Sequence, residues 1–441
     1  MSNVTFEPIT LERVLARDNL YKALRQVERN KGAPGVDGMP TDQLRTFIKS
    51  HPRSLSQSVK DGTYRPSPIK RVYIPKDNGE ERPLGIPIVK DRLLQQAIAQ
   101  VLSEEWEKIF CDMSYGFRPN RDCRQAVRKA MNYINDGYEW VVDLDLRKFF
   151  DTVNHSKLIQ LLSDRIEDGR VVSLIHKFLR APISENGKVG PKNTQGLSQG
   201  GCCSPVLANI MLHELDMKIE SRGLKAVRYA DDCVVFTRSK KAAERALAWI
   251  TKFVETKLFL KVNQSKTKIL KVGDPEVQFL GFSFTTRVSK AKKEKFPKCQ
   301  FFPVVHHKKR HKLKEELKTI LDRKAPGGIE KAKRKLKLKL RGWYQYFRRA
   351  VPKKWIREMD EWMRRRIRCL LWKQWKKPQK RYQEISRRVK NPPPIGMFAY
   401  SSNRWWTMAR TPLVHKALSI DELTKEGWWT LGLCYAWCGD I

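Results

Sequence analysis

Ala226-Val-Arg-Tyr-Ala-Asp-Asp-Cys-Val-Val-Phe-Thr237 is the stretch on which the reading of this chain turns. Strand-forming residues flank the adjacent acids Asp231-Asp232 on both sides, which predicts a hairpin with the two carboxylates at its tip. Asp-Gly or Asn-Gly would serve better if the segment were only a turn. Side-by-side carboxylates repel, and their pairing asks for a divalent cation. A second acidic stretch lies upstream, Glu139-Trp-Val-Val-Asp-Leu-Asp-Leu-Arg-Lys-Phe-Phe-Asp151. Trp140, Val142, Leu144 and Leu146 alternate with Val141, Asp143 and Asp145, a period-two strand with both aspartates on one face. An Asp at one strand end and an Asp pair at a hairpin tip make an all-oxygen ligand set. That set suits Mg²⁺, with Mn²⁺ as a substitute. A pair of such ions, roughly 3.5–4 Å apart, activates an attacking hydroxyl and stabilises a leaving oxygen.

The acids stand in a very basic chain. Its 441 residues hold 88 Lys and Arg against 47 Asp and Glu, a formal net charge of +41. With 41% hydrophobic and 10% aromatic residues it is too apolar for a disordered tail. A folded protein this basic meets a polyanion, nucleic acid before membrane. No apolar run reaches the ~18–20 residues of a spanning helix, and MSNVTFEPIT is not a secretory signal. Nine scattered cysteines show no disulfide framework, which points to reducing cytoplasm. Cys434 and Cys438 with His415, and Cys299 with His306, His307 and His311, lack the four-ligand spacing of a zinc site and read as ordinary thiols and imidazoles. No G-x-x-x-x-G-K-[ST] loop occurs, which disfavours an ATPase or helicase.

The charge is concentrated. Residues 291–390 hold 36 Lys and Arg against 9 Asp and Glu, an excess of 27, and ten of the 13 tryptophans follow residue 340. Within that block Leu313, Leu317, Ile320 and Leu321 fit one helical face. Ile329, Ala332, Leu336, Leu340, Trp343 and Phe347 fit a second, and Ile356, Met359, Met363, Ile367 and Leu370 a third. The pattern predicts a three-helix bundle coated with cations that phosphates would neutralise.

At these residues the chain resembles a known family. Tyr229-Ala-Asp-Asp232 matches the Tyr-x-Asp-Asp box of reverse transcriptases. It comes in order with Arg71–Lys76, Arg82–Pro87 and Asp91–Gln96 (first finger motif), Ser114-Tyr-Gly-Phe-Arg-Pro119 (second), Asp143–Asp151, and Gln199–Pro205 with Leu207–Asn209. Leu260–Asn263 with Lys266, and Phe279–Phe282, follow. Asn30–Gly38 resembles the extra N-terminal finger motif of non-retroviral members. Arg341–Phe347 and Trp372–Pro378 resemble the maturase signature of proteins encoded by group II introns, over roughly residues 10–380 in all. The resemblance is to the bacterial, endonuclease-lacking type, because the residues after 390 hold too few His and Cys for an HNH domain.

That resemblance implies an α+β, right-hand polymerase: fingers and palm with an antiparallel sheet, then an α-helical thumb bundle and a small C-terminal domain. The expected segments are 1–90 (N-terminal extension and first finger segment), 91–290 (fingers and palm), 291–380 (helical thumb or maturase domain) and 381–441 (small DNA-binding-like domain). Asp145, Asp231 and Asp232 are implied as catalytic aspartates and metal ligands, and Asp143 as structural. Lys76, Arg82, Phe150 and Gln199 are implied in nucleotide binding, Phe150 as a ring under the sugar that favours dNTPs. Arg118 either braces the fingers or touches the template. Arg341, Trp343, Tyr346 and Lys373 are RNA-binding candidates. The implied function is RNA-directed DNA polymerisation that copies an intron RNA, with assistance to its splicing and mobility. The implied partners are group II intron RNA, an RNA template with a DNA or RNA primer, dNTPs and target DNA, with no membrane, in a cytoplasmic ribonucleoprotein. A splicing-only maturase, or a retron, diversity-generating or CRISPR-linked reverse transcriptase, is the alternative.

Overall fold

A computed structural model describes residues 6–75, 79–288, 290–322, 327–390 and 394–438. The chain forms two compact units that part between Leu280 and Gly281. In chain order the strands of the first unit are β1 (Ile69–Pro75), β2 (Glu81–Ile86), β3 (Trp140–Leu144), β4 (Ile183–Glu185), β5 (Lys188–Val189), β6 (Lys225–Tyr229), β7 (Asp232–Thr237) and β8 (Lys268–Lys271). They make two four-stranded sheets. One has the order β2-β1-β4-β5, in which β1 and β4 run parallel; the other is the wholly antiparallel β6-β7-β3-β8.

The second sheet carries the acids. Its central strands β3 and β7 read Trp-Val-Val-Asp-Leu and Asp-Cys-Val-Val-Phe-Thr, and burial follows their composition: Val141, Val142, Leu144, Cys233, Val234, Val235 and Phe236 are all buried. Helices Val89–Glu107 and Ser204–Ser221 share the core of this unit. Both are apolar around most of their circumference, as expected of helices covered on several sides. Neither bears a long uncharged run, and no described helix is long and apolar enough to cross a membrane.

The hairpin differs from its expected form. Tyr229 pairs with Asp232, so the two connecting residues are Ala230 and Asp231, and Asp232 is the first residue of β7. Ala230 takes the left-handed conformation at φ 59. A tight turn needs positive φ at its first central position, and the strand pairing enforces it on an alanine. The acids therefore leave the backbone from different structural positions, one from the turn and one from the strand.

The second unit opens with an antiparallel pair, β9 (Phe282–Thr285) and β10 (Phe302–Val305). Helices His307–Ile320, Gly328–Phe347 and Lys353–Gln374 follow, bounded where the periodicity predicts. Leu313, Leu317, Leu336, Leu340, Met363 and Ile367 form their shared interior. Tyr344, absent from the expected face, is buried, whereas Trp343 lies at the edge against Trp355. One hydrophobic core runs from Leu313 to Cys434, across the expected break at 380/381. Trp428 and Leu431 contribute fully buried side chains to it.

Candidate active site

The end of β3 and the β6–β7 turn meet. The register Leu144↔Cys233 puts Asp145 one residue beyond β3, beside Asp232 at the start of β7. The loop after Leu260 holds Asp145 there. Asn263 Nδ2 donates to Asp145 Oδ2 at 2.7 Å, and the Asn263 amide donates to the Asp145 carbonyl at 2.8 Å. The Asp145 amide donates to Thr267 Oγ1 at 3.2 Å. Asn263 thus fixes both the backbone and the carboxylate of the same residue.

The charges in this corner oppose one another. Asp143 lies two residues back on the same face, and burial, then Asp232 and Asp145, push its carboxyl up to about 7. Burial raises Asp231 as well, with Asp145 adding to the effect and the positive Arg82 and Arg228 opposing it. A group of hard oxygen donors that destabilise one another is the donor set that divalent magnesium-type cations relieve. Among the described residues no three acidic, imidazole or thiol side chains already enclose one ion-sized space. The aspartates form an open set, as in sites where substrate phosphates complete the coordination.

These residues lie in a cleft of about 1750 Å³, whose lining includes Arg71, Arg82, Phe117, Asp145, Phe150, Gln199, Asp231, Asp232 and Lys266. Arg82 is exposed on β2, opposite Ile74 of β1. Lys76 lies outside the described residues. Phe150 is half-buried, edge-on to Phe149 with ring centroids 5.3 Å apart. Gln199 accepts the Gly85 amide through its carbonyl at 2.9 Å, which ties the 197–201 loop to β2. Gly200 makes that approach feasible: its φ is 131 and a Cβ would strike the Gly85 carbonyl.

Arg118 is placed as a brace, the first of the two roles left open for it. Its Nε and Nη2 clamp Glu107 at 2.8 and 2.7 Å, and Nη1 donates to the carbonyls of Cys111 and Ser114. With 2% of its side chain exposed it has no face for a nucleic acid. Arg341, Trp343, Tyr346 and Lys373 all belong to the second unit. The Arg341 guanidinium lies 4.2 Å from the Trp437 ring centroid and 5.8 Å from that of Trp429. Trp343 packs on Trp355 and Phe347, and Tyr346 stacks on Phe282. Lys373 is partly exposed.

One support escaped the sequence reading. Arg228, within β6, is fully buried with Asp216; its Nε donates to Asp216 Oδ1 at 2.7 Å and its Nη2 to Oδ2. Its Nη1 reaches Asn209 Oδ1 and the Ala230 carbonyl, so the guanidinium ties the turn to the helix Ser204–Ser221. An arginine amid strand apolars, with Asn209 and Asp216 two turns apart on an apolar helix, was the available signal. Arg71, in the cleft wall, has a buried Nε without a hydrogen-bond partner among the described residues.

Residues 74–284 match the family model "Reverse transcriptase (RNA-dependent DNA polymerase)", and residues 310–389 match "Group II intron, maturase-specific domain". Protein YkfC of Escherichia coli K12 is 35% identical over 302 residues, covering 59% of this chain and 79% of YkfC. The group II intron-encoded protein LtrA of Lactococcus lactis subsp. cremoris is 32% identical over 344 residues. That match covers 63% of this chain and 56% of LtrA, so the chain spans a little over half of that relative. Among solved structures, a chain of a partial Cas6-RT-Cas1–Cas2 complex aligns with a TM-score of 0.36 at 25% identity, over 56% of this chain and 42% of that one.

Proposed function

This chain belongs to the group II intron-encoded reverse transcriptases with a maturase domain, and from that premise we propose that it copies its intron RNA into cDNA and binds the same RNA to assist splicing. The substrates of this reading are an RNA template, a DNA or RNA primer and dNTPs, with target DNA engaged during mobility. The observation that carries it is the meeting of Asp145, Asp231 and Asp232 in one cleft with Arg82, Phe150 and Gln199. Asp145, Asp231 and Asp232 would hold two Mg²⁺ ions, which when bound supply Lewis acidity to the primer hydroxyl and the departing pyrophosphate.

The chain's own residues do the rest. Asn263 orients the Asp145 carboxylate, so that a bound cation would meet a fixed rather than a rotating oxygen. Arg82 offers fixed N–H donors to the triphosphate, where charge grows in the transition state. The Phe150 ring bounds the space under the sugar and excludes a 2′-hydroxyl. The basic helices of the second unit grip RNA through its phosphates.

Primer extension on an RNA template by the purified chain, beside a splicing assay with the co-purified RNA, tests the reading. Extension without splicing assistance would confine the function to polymerisation; splicing assistance without extension would make the chain a maturase alone. Phe150→Ala is expected to narrow the preference for dNTPs over rNTPs by roughly 10- to 100-fold, from the room it opens for one added hydroxyl. Competition extensions with mixed nucleotides measure this, and an unchanged ratio removes Phe150 from sugar selection. Asn263→Ala is expected to lower kcat by about ten-fold or more, the effect of losing a hydrogen bond to a charged group, with the KM for dNTP little changed.

A further inference from the structure

Phe117 has a left-handed backbone (φ 60) and a ring that is half exposed at 51%. Both features are unfavourable for a bulky apolar residue. Its surroundings hold it there on both sides. The Gly116 carbonyl accepts from Asn209 Nδ2 at 2.8 Å, and Gly116 presses so closely on the catalytic turn that a Cβ would collide with the Ala230 amide. Before it, the Tyr115 amide donates to the Arg228 carbonyl at 2.8 Å. After it stands the buried Arg118, bonded to Glu107 and to two carbonyls. Asn209 and Arg228 are the same residues that tie the Asp231 turn to the core. The backbone that carries the ring is therefore held against the turn, and Phe117 lines the cleft of the carboxylates.

An apolar ring carried on a held backbone beside a nucleotidyl-transfer site presents a π-face, and every nucleobase has one. We propose that Phe117 is a stacking platform for a nucleobase at the growing end of the template–primer duplex. This rests on the polymerase reading above and adds to it the residue that sets the height of the base relative to the catalytic turn. The base comes from one of two sources, the first unpaired template nucleotide or the primer terminus, and stacking serves either chemically.

The decisive variant is Phe117→Gly. Glycine accepts φ 60 without strain, so the backbone stays in place while the ring is lost. Affinity for a template–primer is measured by anisotropy in metal-free buffer, which separates binding from chemistry. Phe117→Gly is expected to weaken binding by about ten-fold, in the range of base–aromatic stacking, and Phe117→Trp to preserve it. An abasic nucleotide at the stacked position should weaken the wild type equally and erase its difference from Phe117→Gly. The arm in which that happens, template or primer, identifies the strand. Phe259→Gly is the control, since Phe259 is as strained (φ 54) and as exposed (57%) but lies outside the cleft lining; its affinity should not change. The proposal is overturned if Phe117→Gly binds as the wild type does, or if its deficit persists with abasic nucleotides at both positions. A wild type that binds template–primer with this Phe117 dependence but extends no primer would instead defeat the polymerase reading alone.

Discussion

Asp231→Ala is expected to lower RNA-templated primer extension by at least about a thousand-fold, near 4 kcal/mol of transition-state stabilisation. On the proposed reading the variant loses a metal-ligand oxygen at the turn. Asp145 is engaged by Asn263, and Asp143 stands two residues back along β3. Folding should not suffer. Asp231 is half-buried, with its carboxyl raised by burial and by Asp145, so its ionised form opposes the folded state and removal relieves that opposition. The sign follows from the direction of the shift. A raised carboxyl pKa lowers stability as pH climbs past the unfolded value, so at neutral pH the variant should melt no lower than the wild type. RNA affinity should stay within about two-fold, because the cationic excess lies chiefly in residues 291–390. Extension assays, thermal melting and filter binding on one preparation check all three. Extension near the wild-type rate would sink the assignment of Asp231.

Asp216→Ala should produce the largest loss of stability, about 3–5 kcal/mol, seen as a shift of the urea midpoint. Asp216 and Arg228 are both 0% exposed and bonded through both carboxylate oxygens. Removing the acid strands a guanidinium in the core. Exchanging the pair for apolar residues, Asp216→Leu with Arg228→Met, should recover much of that stability, because a packed apolar pair avoids the desolvation of two ions. Activity should not recover with it, since the Ala230 carbonyl and Asn209 Oδ1 still lack the donor that Arg228 supplied. A double variant that regains both would show that the guanidinium serves the core and not the turn. A single variant as stable as the wild type would refute the buried pair.

What the sequence made legible follows the physics of each signal. Period-two alternation around Asp143 and Asp145 and the 3.6 period of Leu313 to Leu370 depend on side chains facing a core, and both elements stand where those periods put them. The hairpin tip was misread by one residue because turn chemistry favours glycine or asparagine at positive φ, whereas here strand register places Ala230 there. Arg118 was open between two roles because an arginine's destination depends on acceptors distant in sequence, here Glu107 and two carbonyls. Asp143, set aside as structural, is electrostatically joined to Asp232 across the sheet, a pairing visible only with the register in hand. The break expected at 380/381 came from where the family resemblance ends, but apolar burial continues past it, and Trp428 and Leu431 complete the core begun by Leu313.

The stacking of Arg341 on Trp437 and Trp429, with Lys337 4.7 Å from the Trp429 ring centroid, has an optical consequence. Ten of the chain's 13 indoles belong to the second unit, whereas Asp145, Asp231 and Asp232 belong to the first. Intrinsic fluorescence is thus weighted towards the cationic helices. A polyanion that draws Arg341 or Lys337 from these rings alters their local field and hence their emission, with no label attached. The molecule carries a native spectroscopic reporter for occupancy of its basic unit, readable in the same cuvette in which primer elongation is followed by another signal.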